Sequence, residues 1–484
     1  MYKFDTKVQH LKYKVLRRVA KHAWDGDLQE SIIDIPKEII PGKTPTMRCC
    51  VYKERAILSE RVKIAIGGDK SNPNVIETID IACEECPTGG FTVSDECRGC
   101  IAHRCEDVCP KGAITHDGYH HAHIDKSKCV NCGLCAKACP YGAIHDHKRP
   151  CQNACKTGAI NMNPDGSVRI DNEKCVSCGA CVYQCPFGAL QDKSFIVDII
   201  NMIKSGERVY AIVAPAIAAQ FNYARLGQIV SGIEALGFCK VVEAALGADM
   251  VAYSEAQELA EKGFLTSSCC PAFVSFIKNE FPDLEEHISS NLSPMATIAK
   301  HIKELDPGAK TVFIGPCTAK KGEFQKPEVH KYVDCVMTFE ELQALFDSRD
   351  LNIETMEDSA LEDASYYGRI FAHSGGLATA AAEALQELGS NFELKPVACD
   401  GLENCRLTLM KASKGKLDAN FIEGMACIGG CINGAGNMIH NAANRVKVDS
   451  FGNKSKAKSI TESLNMAASD FDNFVISKAA EKAD

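Results

Sequence analysis

The sequence predicts an α/β protein with parallel sheets, preceded by a tandem of small, cysteine-rich α+β domains. Three observations predict it. Residues 81–190 repeat a short unit, a cysteine followed in most copies by Pro and then by x-Gly-Ala-Ile or a close variant. From about residue 196 the cysteines thin out, and apolar runs such as Val209–Ile217 and Thr311–Ile314 alternate with helical patterns such as Leu377–Leu388. That alternation is the pattern of parallel strands joined by helices. At 484 residues and 45% apolar content, the chain has material for two to four domains with real cores.

Taken in chain order, residues 1–80 hold Cys49 and Cys50 but no legible motif, and read as an N-terminal cap or interaction segment. Residues 81–145 read as the first small domain and 146–195 as the second. Their repeat occurs as Cys109-Pro-Lys-Gly-Ala-Ile, Cys139-Pro-Tyr-Gly-Ala-Ile, Cys155-Lys-Thr-Gly-Ala-Ile and Cys185-Pro-Phe-Gly-Ala-Leu, with a fainter copy at Cys86-Pro-Thr-Gly-Gly. Repetition of a short unit signals stacked supersecondary elements. Two copies make one two-cluster, ferredoxin-like domain, so four make two. Residues 196–440 carry the alternating α/β texture, and 441–484 read as a polar, partly helical extension.

Composition excludes several classes. A net charge of −9 argues against nucleic acid or an anionic membrane as the main partner. No apolar run approaches the roughly 18 residues of a membrane span. The basic N-terminus lacks the apolar stretch of a secretory signal, so the cytoplasm is the expected location. No Gly-x-Gly-x-x-Gly follows a strand, so nothing supports a nicotinamide or flavin site.

The 27 cysteines decide the chemistry, because they are clustered. A reducing compartment disfavours disulfides and favours metal ligands. Zinc is the main competitor for paired cysteines. Spacing argues against it. Cys129, Cys132, Cys135 and Cys139 follow C-x₂-C-x₂-C-x₃-C-P, as do Cys175, Cys178, Cys181 and Cys185; Cys97, Cys100, Cys105 and Cys109 match with an insertion. In this pattern three thiolates hold one cubane, and the fourth serves the neighbouring cluster. Crossed pairing then gives one cluster on Cys97, Cys100, Cys105 and Cys139 and a mate on Cys129, Cys132, Cys135 and Cys109. In the second domain Cys175, Cys178 and Cys181 pair with Cys155. Cys151 and Cys185 are left two ligands short, since His145 and Lys148 occupy the missing positions. Cys83 and Cys86, just upstream, would complete the set; the alternative is that they are free thiols or bind something else. Three to four accessory [4Fe–4S] clusters are therefore expected, and clusters in series imply electron transfer.

Three further segments hold Cys269 and Cys270 (Thr266 to Phe273, reading Thr-Ser-Ser-Cys-Cys-Pro-Ala-Phe), Cys317 (Gly315 to Glu323) and Cys427 and Cys431 (Glu423 to Gly436). Four thiolates complete one cubane, so one of these five cysteines is spare. The segments resemble, in order, the three signature motifs of the monomeric [FeFe]-hydrogenases, in the branch with a Cys-Cys-Pro-Ala-Phe first motif. The resemblance covers roughly residues 81–440. It implies a catalytic domain of two lobes, with parallel-type sheets flanked by helices, and an H-cluster catalysing 2H⁺ + 2e⁻ ⇌ H₂. The cluster's cubane would be held by Cys270, Cys317, Cys427 and Cys431, with Cys431 bridging to a two-iron subcluster that carries CO, cyanide and an azadithiolate. Soft thiolates suit such a centre, and the Gly-rich stretch 429–436 lets backbone approach it closely.

The spare Cys269 matches the family's proton-exchanging cysteine; its plain alternative is a small buried apolar residue. Glu255 and Glu258 share a helix face at i,i+3, and the resemblance implies a relay Cys269, Glu255, Ser289, Glu258. Read from the residues alone, Ser254 and Gln257 form a capping box, which would make both glutamates ordinary first-turn acids. Lys320 matches a residue that holds cyanide, with Glu323 as its anchor, whereas Lys321 reads as a solvated lysine. Ala214, Pro215, Ala216, Phe371 and Met425 match pocket-lining positions. Gly315 stands where a methionine is usual, Met295 replaces a glutamine, and Ala272-Phe273, Ala435 and Asn437 also depart from the common pattern. Cys239, Cys335, Cys399 and Cys405 have no ligand spacing and read as buried thiols. Expected partners are a ferredoxin or flavodoxin and the maturation enzymes that build the two-iron unit. Two other readings share these motifs: an iron–sulfur assembly factor lacking the two-iron unit, and an H₂-sensing regulatory hydrogenase.

Overall fold

The computed structural model of the chain describes residues 4–86 and 89–467. Within the faint repeat copy, Pro87 and Thr88 lie outside the described residues, as do residues 468–484 of the expected C-terminal extension.

The two cysteine-rich domains are built from two-stranded antiparallel pairs. In order, β1 is Ile76–Thr78, β2 Phe91–Val93, β3 Ile114–His116, β4 Ala122–Ile124, β5 Ile144–Asp146, β6 Ile160–Met162, β7 Val168–Ile170 and β8 Leu190–Asp192. β2 pairs with β5 and β3 with β4, which makes the first domain. β6 pairs with β7, and β8 pairs back to β1, with Ile76 opposite Asp192 and Thr78 opposite Leu190. The expected boundary at residue 81 therefore cuts through the second unit. Its first strand lies upstream of that boundary, and the first domain is inserted between its Cys86 and its Arg149. The strand pair spans more than a hundred residues of chain, which no local pattern reports.

Residues beyond 196 form two parallel sheets. The larger has the order β10–β9–β12–β13, with β9 Val209–Val213, β10 Lys240–Glu243, β12 Lys310–Gly315 and β13 Cys335–Thr338. The smaller has the order β11–β15–β14, with β11 Leu265–Thr266, β14 Pro396–Asp400 and β15 Phe421–Met425. All neighbours in both are parallel. β9 is buried along its whole length, as a strand covered by helices on both faces must be. The apolar run that begins it continues to Ile217, but the strand stops at Val213. Pro215 cannot donate to the ladder, and a short 3₁₀ turn over Pro215–Ala219 takes over. The helix expected over Leu377–Leu388 is present as Gly376–Glu387.

The N-terminal segment is helical and belongs to the main core. Helix Lys7–Asp25 opens on a capping box between Thr6 and Gln9 and ends at Gly26, whose φ of +85° suits only glycine well. Its Leu16, Val19 and Ala20 are fully buried in the same apolar cluster as β9 and β12. It packs on helix Phe339–Ser348. A buried charge network fastens the three parts together. Lys12 bonds Asp192 at 2.5 Å and Glu340 at 2.7 Å, while Lys321 bonds Asp192 at 2.7 Å and Glu341 at 2.8 Å. Lys321 has 0% side-chain exposure. The solvated lysine expected at 321 is thus a buried one, because its carboxylate partners come from distant strands and helices.

Candidate active site and cluster relay

Parallel sheets open ligand crevices at the carboxyl ends of their strands, and every signature segment leaves such an end. β9 delivers Ala214, Pro215 and Ala216. β11 delivers Cys269 and Cys270, β12 delivers Pro316 and Cys317, and β15 delivers Cys427. Cys270 caps helix Pro271–Glu280, with Pro271 at the first helical position, where its fixed φ suits the helix. The last motif lies across Pro316. A Cβ at Gly434 would stand 2.4 Å from the Pro316 carbonyl oxygen, and one at Gly430 would stand 2.8 Å from the backbone of His373 and Ser374. Only glycine permits these approaches, which bring Cys427 and Cys431 to Cys317.

The result is a cavity of about 90 Å³ whose walls include Cys269, Cys270, Cys317, Cys431, Lys320, Met295 and Phe371. Ala214, Pro215, Ala216 and Met425 line it too. Gly315, where a longer side chain was expected, leaves room that the Phe313 ring takes: a Cβ there would sit 2.4 Å from that ring. Burial pushes the Cys317 thiol up to about 11, and the charge of Cys270 adds to this while Lys320 opposes it. Cys427 and Cys431 are driven up by burial, then by Cys317 and Cys270. Thiols such as Cys317, Cys427 and Cys431, crowded so that their charges repel, do not ionise together unless a cation compensates them. The donor set therefore fits an iron–sulfur cubane.

Lys320 is buried, with its ammonium 2.7 Å from Glu323 and 3.4 Å from the Cys269 carbonyl oxygen. Burial lowers its pKa, but Glu323, Cys317 and Cys269 together raise it above the ordinary lysine value, so it keeps its proton. Cys269 stands at the same cavity, its thiol pushed well up by burial, then by Cys270 and Glu255.

Behind Cys269 lies a carboxylate path. The helix spanning Ala244–Lys262 has Glu243 at its N-cap. Ser254 is thus inside the helix, and the expected capping box is absent; Glu255 and Glu258 sit well past the first turn. Glu255 is 1% exposed, and neither of its oxygens has a hydrogen-bond partner among the described residues. Burial pushes its carboxyl up to about 8, with Ser289 and the Ser268 amide opposing. One turn on, Glu258 accepts from the Ser289 hydroxyl at 3.0 Å, from the Ser290 amide and from Asn291, and pairs with Lys262 at 2.6 Å. Burial opposes this, but Lys262 and those donors hold its carboxyl below the usual range. Glu423 was not legible as a site residue. It is buried, accepts from the Gly375 and Ala378 amides at 2.8 Å each, and burial pushes it up to about 7. The only signal in sequence was its place at the start of the last motif.

The accessory cysteines gather in separate neighbourhoods. In the first domain Cys105 lies within the electrostatic reach of Cys100 and Cys139, and Cys135 within that of Cys129 and Cys132. Cys109 shares a cavity with Cys129, Cys132 and Cys135, and Cys97 packs in the same small core. In the second domain burial, then Cys175, Cys155 and Cys270, push Cys178 up to about 12, while Cys181 responds to Cys178, Cys175 and Cys155. Cys178 also acts on Cys427, so this group adjoins the active site. The Thr318 hydroxyl donates to the Ser177 carbonyl at 2.8 Å across that junction. Cys83, Cys86, Cys151 and Cys185 line one cavity. Cys335, Cys399 and Cys405 are buried thiols; Cys239 is half-buried.

Residues 207–435 match the model of the iron-only hydrogenase large subunit, C-terminal domain. Residues 96–143 match a 4Fe-4S dicluster domain, and 168–191 match a 4Fe-4S binding domain. The chain is 29% identical over 315 residues to Iron hydrogenase 1 of Clostridium pasteurianum, covering 53% of this chain and 55% of that protein. It is 27% identical to the NADP-reducing hydrogenase subunit HndD of Solidesulfovibrio fructosivorans, covering 65% and 56%. It is 27% identical to the periplasmic [Fe] hydrogenase large subunit of Nitratidesulfovibrio vulgaris, covering 66% and 87%. The chain thus spans just over half the length of the first two relatives.

Proposed function

We propose that this chain, whose residues 207–435 match the iron-only hydrogenase large subunit, is an [FeFe]-hydrogenase that interconverts protons, electrons and H₂. The observation that carries this is the cavity itself: Cys269, Cys270, Cys317, Cys431 and one buried lysine lining a single apolar space at the ends of parallel strands, with Cys427 close enough to feel the charges of Cys317, Cys270 and Cys431. Cys270, Cys317, Cys427 and Cys431 would hold the cubane of an H-cluster, and Cys431 also faces the space for a two-iron unit. When bound, that group supplies an electron reservoir and a vacant metal position at which H₂ is made or split.

The chain's own residues supply protons and exclude water. Glu258 meets solvent at the helix surface and is ionised at neutral pH, so it collects protons. Ser289 links it toward Glu255. Glu255 carries a proton at neutral pH, because its pKa of about 8 lies above it, and hands it toward the Cys269 thiol at the cavity wall. Proton donors work best when their pKa lies near the working pH. Lys320, pinned by Glu323, presents a fixed cation to an anionic ligand such as cyanide, and Ala214, Pro215, Ala216, Phe371 and Met425 keep the space dry. Electrons from a reduced ferredoxin or flavodoxin in the cytoplasm would enter at the first cysteine-rich domain and leave through the Cys155, Cys175, Cys178 and Cys181 cluster. Among the described residues no helix is long and apolar enough to cross a membrane.

The test is viologen-linked H₂ evolution and uptake by protein produced with the maturation enzymes. The wild type should turn over in both directions, and Cys269→Ala should lose at least about a hundredfold, the ordinary scale of one proton-transfer group. A Cys269→Ala protein as fast as wild type would refute the relay. An assembly-factor role has no use for the buried Lys320–Glu323 pair or for the orphaned Glu255 at this cavity.

A further inference from the structure

We propose that the accessory cluster of the inserted junction, on Cys83, Cys86, Cys151 and Cys185, is the most easily reduced of the accessory clusters, and that Arg149 and Arg61 make it so. This rests on the assignment of those four cysteines to one cubane. It adds a function to that site: an electron store between the first cysteine-rich domain and the cluster that adjoins the active site.

Arg149 is the residue at which the chain re-enters the second domain after the inserted one. It is 2% exposed. Its Nη1 donates to the Cys83 sulfur at 3.3 Å and its Nη2 to the Cys86 carbonyl oxygen at 3.2 Å. It lines the cavity shared by the four cysteines. Among the described residues, this is the only hydrogen bond from a charged side chain to a thiol. Cys109, Cys155 and Cys185 each accept a backbone amide at 3.2 Å, four residues on. That contact recurs in both domains, so it does not set one cluster apart; the guanidinium does.

Arg61 adds a second buried cation. It is 1% exposed, and donates to the Gly188 carbonyl oxygen at 2.6 Å, the Phe187 carbonyl oxygen at 3.4 Å and Gln191 at 2.9 Å. Among the described residues no carboxylate forms an ion pair with it. Burial first, then the neighbouring Arg48, lowers its pKa to about 10, and the charge of Cys185 acts the other way. Arg48, by contrast, is paired with Glu85.

A buried guanidinium is expensive unless something anionic offsets it. A neutral Cys83 thiol is a poor acceptor, whereas a cubane held by four thiolates would carry net negative charge, which the Arg149 guanidinium would meet directly and which would offset the buried charge of Arg61. Reduction adds one more negative charge at the same place: one electron leaves a reduced neighbouring cluster, which returns to its 2+ core, and takes this cluster from 2+ to 1+. Hydrogen bonds to sulfur and nearby positive charge favour the reduced state, and burial strengthens both.

The experiment is a redox titration of the holoprotein, followed by electron paramagnetic resonance, with iron and sulfide counted in each sample. In Cys83→Ser, the component lost or altered should be the accessory signal that is first to appear on reduction. In Arg149→Gln with its full iron content, the reduced-to-oxidised ratio of that component at a fixed potential should fall about tenfold, which is 59 mV for a one-electron couple. Arg149→Lys should fall between. An unmoved titration in iron-replete Arg149→Gln overturns the role of Arg149 while leaving the cluster standing. If Arg149→Gln fails to load, the Cys83→Ser arm decides alone, and loss of a late-reducing component overturns the proposal. If Cys83→Ser keeps every signal and all its iron, the four-cysteine assignment fails, and the proposal with it.

Discussion

Two glutamates one turn apart show how a single residue's surroundings decide its role. Glu258 reaches Lys262 and three hydrogen-bond donors and stays ionised. Glu255 is sealed in with no hydrogen bond among the described residues to either oxygen, and its ordinary value near 4.5 rises to about 8. The sign of the stability effect follows. The folded protein binds this proton more tightly than the unfolded chain does. Its contribution is complete below about pH 4.5 and is lost as pH rises through about 8. Glu255→Gln keeps the shape and discards the titration. Between pH 5 and pH 8 the wild type should therefore lose more thermal stability than Glu255→Gln, while the variant's H₂ turnover falls by about two orders of magnitude. Equal pH slopes in anaerobic thermal unfolding would mean that Glu255 does not hold a proton in the native state. Neither glutamate was legible as perturbed from sequence. The spacing showed that they share a face, but Ser254 and Gln257 imitated a helix start that lies eleven residues earlier, at Glu243.

At the scale of elements, the strands were readable where their signal is local. β9 and most of β12 are apolar runs, and cysteine spacing alone grouped the first domain's candidate ligands, because a short loop can aim three thiolates at one cubane. What escaped was contact between segments far apart in the chain. β1 pairs with β8, and helix Lys7–Asp25 reaches the core through Lys12, although neither has a motif. Lys320 and Lys321 are adjacent, both are buried, and they face opposite duties: one toward the cavity, the other into the network of Asp192 and Glu341. Removing one partner of a buried ion pair typically costs about 3–5 kcal/mol, since a charge is left unpaired. Lys321→Met should lose about that much in chemical denaturation while its cavity stays intact, so the fraction still folded should retain its turnover. A variant as stable as wild type would show that the network does not join the N-terminal helix, β8 and the catalytic domain.

For the whole molecule, the architecture places a chain of thiolate sites in series and ends it where two parallel sheets open. The inserted domain interrupts the second cysteine-rich domain at Cys86, which is why Cys151 and Cys185 looked two ligands short: Cys83 and Cys86, which line the same cavity, lie on the far side of the insertion. The order of sites was legible from the cysteines. The closeness of the last accessory group to the active site was not, because it depends on the contact of Ser177 and Cys178 with Thr318 and Cys427. The central claim is that the cavity at Cys269, Cys270, Cys317, Cys427 and Cys431 holds a cubane joined to a two-iron unit. Infrared spectroscopy of protein made together with the maturation enzymes reads that unit directly, through the stretching bands of metal-bound CO and cyanide. Those bands should be present in the wild type and absent from Cys431→Ala. Fully loaded protein with ordinary cubanes and no such bands would contradict the account.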